Sequence, residues 1–95
     1  MGYTRNVDAN QGEIVEALRA VGCTVFEASA VGGGFPDLVV GIRGETFLLE
    51  VKTAKGKLKK TQEKFFAEWK GHAQIVRTEE EALQAVGLLD NEVNE

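Results

Sequence analysis

The stretch from Pro36 to Lys52, PDLVVGIRGETFLLEVK, holds two apolar runs divided by Arg43-Gly44, with an acid opening the first run and Glu50-x-Lys52 inside the second. Arg43-Gly44 suits a two-residue turn between antiparallel strands, so residues 37–42 and 45–53 read as a β-hairpin. Side chains alternate along a strand: Phe47, Leu49 and Val51 point one way, and Leu48, Glu50 and Lys52 point the other. An apolar Leu48 on the charged face implies that both faces are covered and that Glu50 is partly desolvated. With the turn at 43 and 44, position 50 falls opposite position 37, which places two carboxylates side by side. Two anions this close repel unless one is protonated or a cation lies between them.

Working outward from the hairpin, residues 10–21 repeat apolar side chains at helical spacing (Ile14, Ala17, Leu18, Val21). Asp8 or Asn10 is placed to cap the start, and Gly22 stands where a left-handed C-terminal residue belongs. Residues 23–28 are β-prone and lead into a glycine-rich connection. A basic loop spans 54–60, a second helix 61–70 and a fourth strand 73–77, predicted to pair parallel to its sheet neighbour. Thr78 followed by Glu79, Glu80 and Glu81 caps a last helix, and those acids suit its N-terminal dipole. The order αβββαβα predicts an α/β fold with a mixed central sheet flanked by helices.

Length and composition bound the answer. At 95 residues the chain makes a single domain over 1–95, with its core at about 10–78 and an acidic helix and tail at 79–95. A chain this small buries roughly 60–65% of its unfolded surface, so oligomerisation is expected. Apolar content of 43% and charged content of 27% exclude a disordered chain. No apolar run approaches a membrane span and no signal-peptide pattern opens the sequence, so a cytosolic location is expected. The single Cys23 reads as a small buried hydrophobe. The net charge of −4 is unevenly spread: six of the fifteen acids lie in 79–95, leaving residues 1–78 with eleven basic groups against nine acidic. Lys52, Lys55, Lys57, Lys59, Lys60 and Lys64 crowd one segment opposed only by Glu63. A cluster of that kind serves phosphate binding better than net charge suggests.

Mg²⁺ suits the Asp37 and Glu50 pair, since it takes oxygen ligands, needs one or two protein carboxylates and completes its shell with water and phosphate oxygens. Lys52, two residues along the same face, is positioned for a phosphate or a metal-bound water. Gln62 falls on the core-facing stripe of the second helix with Phe66 and Trp69, where an amide needs a polar partner in the site. Glu13 lies about 100° from the centre of the first helix's apolar stripe, which suits a flanking catalytic acid or a capping-box acid bonded back to Asn10. Phe65, Phe66 and Trp69 read as core by their helical spacing, in preference to a base-stacking role, and His72 reads as a surface residue of the following turn.

Taken together, Gly34-Phe35-Pro36-Asp37, Leu48-Leu49-Glu50-Val51-Lys52, Gly56-Lys57-Leu58 and Gln62 resemble the PD-(D/E)xK nuclease superfamily, and closely its VRR-NUC branch found in phages and bacteria. The resemblance covers 10 to about 78. It implies an αβββαβ restriction-endonuclease-like core with an extra C-terminal helix. It also implies hydrolysis of DNA phosphodiesters, double-stranded or branched, dependent on Mg²⁺ or Mn²⁺, by a protein that pairs as a homodimer. By position, Asp37, Glu50 and the Val51 carbonyl would hold metal, Lys52 would orient or activate water, Gln62 would support them, and Glu13 would match the acid of the first helix. Lys55, Lys57, Lys59 and Lys60 would grip phosphates. The family often places Ser-Pro or Thr-Pro before the glutamine, whereas Lys59-Lys60-Thr61 stands here. The competing expectations are a nucleic-acid-binding module that keeps the fold without catalysis, and a regulatory or structural phage protein acting through its acidic tail.

Overall fold

The computed structural model describes residues 10–89. Helix α1 (Gln11–Ala20) precedes strands β1 (Thr24–Glu27), β2 (Leu38–Ile42) and β3 (Glu45–Val51), then α2 (Lys60–Glu68), β4 (Ala73–Val76) and α3 (Glu79–Ala85). One sheet runs β1-β2-β3-β4, its first two pairings antiparallel and β3–β4 parallel. The parallel pair needs a crossover, and α2 with its flanking loops supplies it. The αβββαβα order and mixed sheet expected from sequence are present, as an α/β fold consistent with a restriction-endonuclease-like core. Among the described residues, no helix is long and apolar enough to cross a membrane.

The hairpin forms as its turn chemistry requires. Arg43 (φ 53°) and Gly44 (φ 79°) both take positive φ, the signature of the two-residue turn that matches strand twist. Leu38 then faces Leu49, and each step along the pair keeps the same sum, so Asp37 lies across from Glu50. The Arg43 guanidinium donates to the Val86 carbonyl (2.8 Å) at the end of α3, where the helix dipole favours a cation.

Alternation divides the sheet into two unlike faces. Val25, Leu38, Val40, Phe47, Leu49, Val51 and Val76 form one buried cluster with Ile14, Val15 and Leu18 of α1 and Ala82 and Val86 at α3. Burying each such side chain contributes roughly 1.5–3 kcal/mol, so this layer dominates stability. Cys23 is buried in the same cluster, and its thiol is pushed up by burial. The opposite face carries Val39, Leu48, Glu50 and Ile75 beneath α2, none of whose residues is fully buried.

Several expectations need correction. The spacing of Phe65, Phe66 and Trp69 predicts core packing, but Phe65 and Phe66 are half-buried and Trp69 is 43% exposed, because a single nine-residue helix covers that side of the sheet. His72 is exposed, as expected, and its ring stacks on Phe47 (centroids 4.6 Å apart, planes at 25°). Asn10 occupies the N-cap of α1 but makes no side-chain cap bond, its amide being used elsewhere. Asp8, the other capping expectation, and the tail acids Asp90, Glu92 and Glu95 lie outside the described residues. Gly22 (φ 101°) ends α1, with Cys23 N–H bonding back to Leu18 O (3.0 Å), and Thr78 Oγ1 accepts from Glu81 N–H (3.0 Å), both as expected.

Candidate active site

A cleft of about 480 Å³ opens between the glycine-rich loop, the ends of β2 and β3 and the start of α2. Its lining includes Ser29, Gly34, Phe35, Asp37, Glu50, Val51, Lys52, Lys59 and Gln62. The close approach of the loop to α2 depends on Gly34. Its φ is +87°, and a Cβ there would collide with the Thr61 carbonyl.

Glu50 is the centre of the arrangement. It is 2% exposed, Gln62 Nε2 donates to its Oε2 (2.9 Å), and Lys52 Nζ lies 3.4 Å from the same oxygen. Its other oxygen, Oε1, is buried without a hydrogen-bond partner among the described residues. Burial, and then the neighbouring Asp37 charge, raise the carboxyl pKa to about 7, with Lys52 opposing. With Lys52 alone opposing two carboxylates, and an empty acceptor on the buried one, the pair is poorly balanced without a further cation or a proton.

Asp37 is held on both oxygens. Ser29 Oγ donates to Oδ1 (3.0 Å) and Val51 N–H donates to Oδ2 (2.9 Å). Each carboxylate oxygen keeps a second lone pair free for another ligand. Behind Ser29 stands Gln11, 2% exposed, whose Nε2 donates to Glu27 Oε1 (3.2 Å) and to Ser29 Oγ (3.4 Å). A chain of side-chain hydrogen bonds therefore runs from α1 to the Asp37 carboxylate.

The far wall is tied down by two residues that reading the sequence missed. Asn10 Nδ2 donates to the carbonyls of Lys52 (3.1 Å) and Arg77 (2.9 Å), clipping the end of β3 to the end of β4. Arg77 Nη1 donates to Thr53 O (2.6 Å), Gly56 O (2.9 Å) and Ala54 O (3.4 Å), which fixes the turn following Lys52. That turn folds onto the lysine stem: a Cβ added at Gly56 would lie 3.4 Å from both Cβ and Cδ of Lys52.

The structure brings Asp37, Glu50, Val51, Lys52 and Gln62 together, and the amide expected to reach the site does so. Gln62 also accepts from Lys59 N–H through Oε1 (2.8 Å), so one side chain both caps α2 and steadies Glu50. Glu13 is not part of the group. It is exposed and lines a separate depression with Asn10, Arg77 and Thr78. Lys59 lines the cleft, while Lys55, Lys57 and Lys60 are exposed beyond it. Gln11 had a legible signal, since a polar residue three positions before Ile14 and seven before Leu18 sits on the apolar stripe, the same anomaly that marks Gln62. Ser29, in an irregular loop, had none.

The two carboxylates, one of them with an open acceptor at Glu50 Oε1, fit a hard divalent ion, which needs few protein oxygens. Among the described residues no group of three or more His, Cys, Asp or Glu is placed to hold a metal ion, so an ion at this cleft would rest on two carboxylates. A family model described as the VRR-NUC domain matches residues 4–85. Comparison with curated proteins and with solved structures returns no match.

Proposed function

The chain belongs to the VRR-NUC domain family, a family of nucleases, and from that membership and the paired carboxylates we propose that it is a Mg²⁺- or Mn²⁺-dependent endonuclease that hydrolyses DNA phosphodiester bonds. The observation that carries the metal dependence is Glu50, a buried carboxylate with one oxygen unpartnered, across the hairpin from Asp37. Asp37, Glu50 and the Val51 carbonyl would hold the ion. When bound, it would lower the pKa of a coordinated water and stabilise negative charge growing on the phosphate.

The remaining work falls to the chain's own groups. The Lys52 ammonium, within 3.4 Å of Glu50 and braced by the 53–56 turn, presents its other donors to a phosphate oxygen or the attacking water. Gln62 and Val51 N–H fix the two carboxylates, so little reorganisation accompanies reaction. Lys59 at the cleft, with Lys55, Lys57 and Lys60 outside it, supplies the phosphate grip. A phage-type, cytoplasmic homodimer is part of the proposal. Exposed Phe26 and Val31 beside a thin layer support a second copy, and sedimentation should give twice the 10.3 kDa chain mass.

The direct test is incubation with plasmid, linear, single-stranded and four-way-junction DNA in Mn²⁺, alongside Lys52→Ala. We expect cleavage that stops with chelator and falls about 10²- to 10⁴-fold in the variant. Cleavage that survives Lys52→Ala unchanged places the chemistry elsewhere.

A further inference from the structure

Helix α2 and its C-cap residue carry three aromatics, Phe65, Phe66 and Trp69, that stand outside the buried cluster. Phe35 lines the carboxylate cleft and meets Phe65 edge-on (centroids 5.5 Å, planes at 76°). Phe65 in turn stacks nearly flat on Trp69 (5.2 Å, 17°). Thr61, also in the cleft lining, lies four residues before Phe65 and eight before Trp69, so one face of the helix leads out of the cleft. At 1.5 Å per residue this ledge runs on the order of 12 Å. Trp69 is both placed and open. Gly71 sits so close that a Cβ would come within 2.9 Å of its indole nitrogen, yet 43% of the residue remains in solvent.

Resting on the nuclease reading above, we infer that Trp69, at the exposed end of the Phe35–Phe65–Trp69 ledge, stacks an unpaired base of the strand whose phosphate occupies the cleft, making DNA with a single-stranded portion the preferred substrate. Two features select this occupant. The ledge is continuous with the cleft through Phe35 and Thr61, so a strand leaving the carboxylates passes along it. Its surroundings suit a polyanion: residues 59–70 hold Lys59, Lys60, Lys64 and Lys70 against Glu63 and Glu68. Bases inside a duplex have no free face to offer an aromatic ring, whereas every unpaired base does.

Trp69 is the only tryptophan in the chain, so its emission reports on the ledge alone. The full-length protein is titrated in EDTA, without turnover, with a blunt duplex, the same duplex bearing a short single-stranded overhang, and a single strand. The inference predicts quenching by the overhang and the single strand only, and about tenfold tighter binding of the overhang than of the blunt duplex. Trp69→Leu should remove that preference while leaving blunt-duplex affinity unchanged, and Trp69→Phe should keep part of it. Gly71→Ala, which keeps the ring but displaces it, should also weaken the preference. Binding of the overhang with unchanged emission, or a preference that survives Trp69→Leu, overturns the inference. The two readings separate cleanly: a chain that discriminates the overhang but never cleaves sinks the hydrolysis alone, and one that cleaves without discriminating sinks the ledge alone. Binding to none of the DNAs overturns both.

Discussion

The two faces of the sheet are built from alternating residues of the same strands, yet they are finished in opposite ways. On one face, α1 and α3 close over Leu38, Val40, Leu49, Val51 and Val76, and each of these is essentially without solvent contact. On the other, α2 buries none of its own residues fully, leaves Phe26 65% exposed at the sheet edge, and shelters Glu50 instead of another aliphatic. Strand alternation lets one segment serve both purposes: Leu49 and Val51 hold the protein together, and Glu50 between them pays part of that stability into a charged, half-open cleft. A bulky polymer substrate needs such an open side.

The sharpest way to break this contrast is truncation on each face. Leu38→Ala should cost about 3–4 kcal/mol of unfolding free energy, as for a fully buried leucine in a closed layer. Phe66→Ala, half-buried on α2 itself, should cost less than half of that in the same denaturant titration. Equal losses would mean that the α2 side is as much core as the other.

The open face should also respond to pH where the closed face does not. Glu50 titrates near 7 in the folded chain against an ordinary 4.5, so the folded state holds its proton more tightly. The stability this gives the metal-free protein is fully present below about 4.5 and is lost as pH rises through 7. The loss should be on the order of 3 kcal/mol. Glu50→Gln should flatten the melting temperature across that window. A wild-type profile already flat there would show that burial does not perturb this carboxyl. Metal binding needs the ionised form, so affinity for the ion should weaken as pH falls below 7.

A smaller effect is expected at Arg77. Its three carbonyl partners lie in an exposed turn that water can resolvate, so Arg77→Met should cost only about 1 kcal/mol of stability. Because that turn braces Lys52, kcat should fall several-fold with KM little changed. A fall in stability alone would leave Arg77 a purely structural tether.

Most of the frame was legible because it follows from short-range rules. The Arg43-Gly44 turn fixes the hairpin, the hairpin fixes the register, and the register places Asp37 opposite Glu50. Gln62 was readable as a polar residue on an apolar stripe, and Gln11 shows the same sign. Other parts depend on long-range meetings that no local pattern encodes. Arg77 reaches carbonyls more than twenty residues back along the chain, and Asn10 joins the ends of β3 and β4 in place of capping its own helix. The aromatic spacing of α2 misled because periodicity reports which side of a helix is apolar, and says nothing of how completely the rest of the fold covers it.

The central claim is that the two carboxylates across the hairpin hold a divalent ion. Titration calorimetry of the full-length protein with MnCl₂ at pH 8 tests it most directly, using wild type and Glu50→Gln side by side. The account predicts a saturable heat for wild type and none for the variant. Equal heats from the two proteins, or no heat from either, would contradict it.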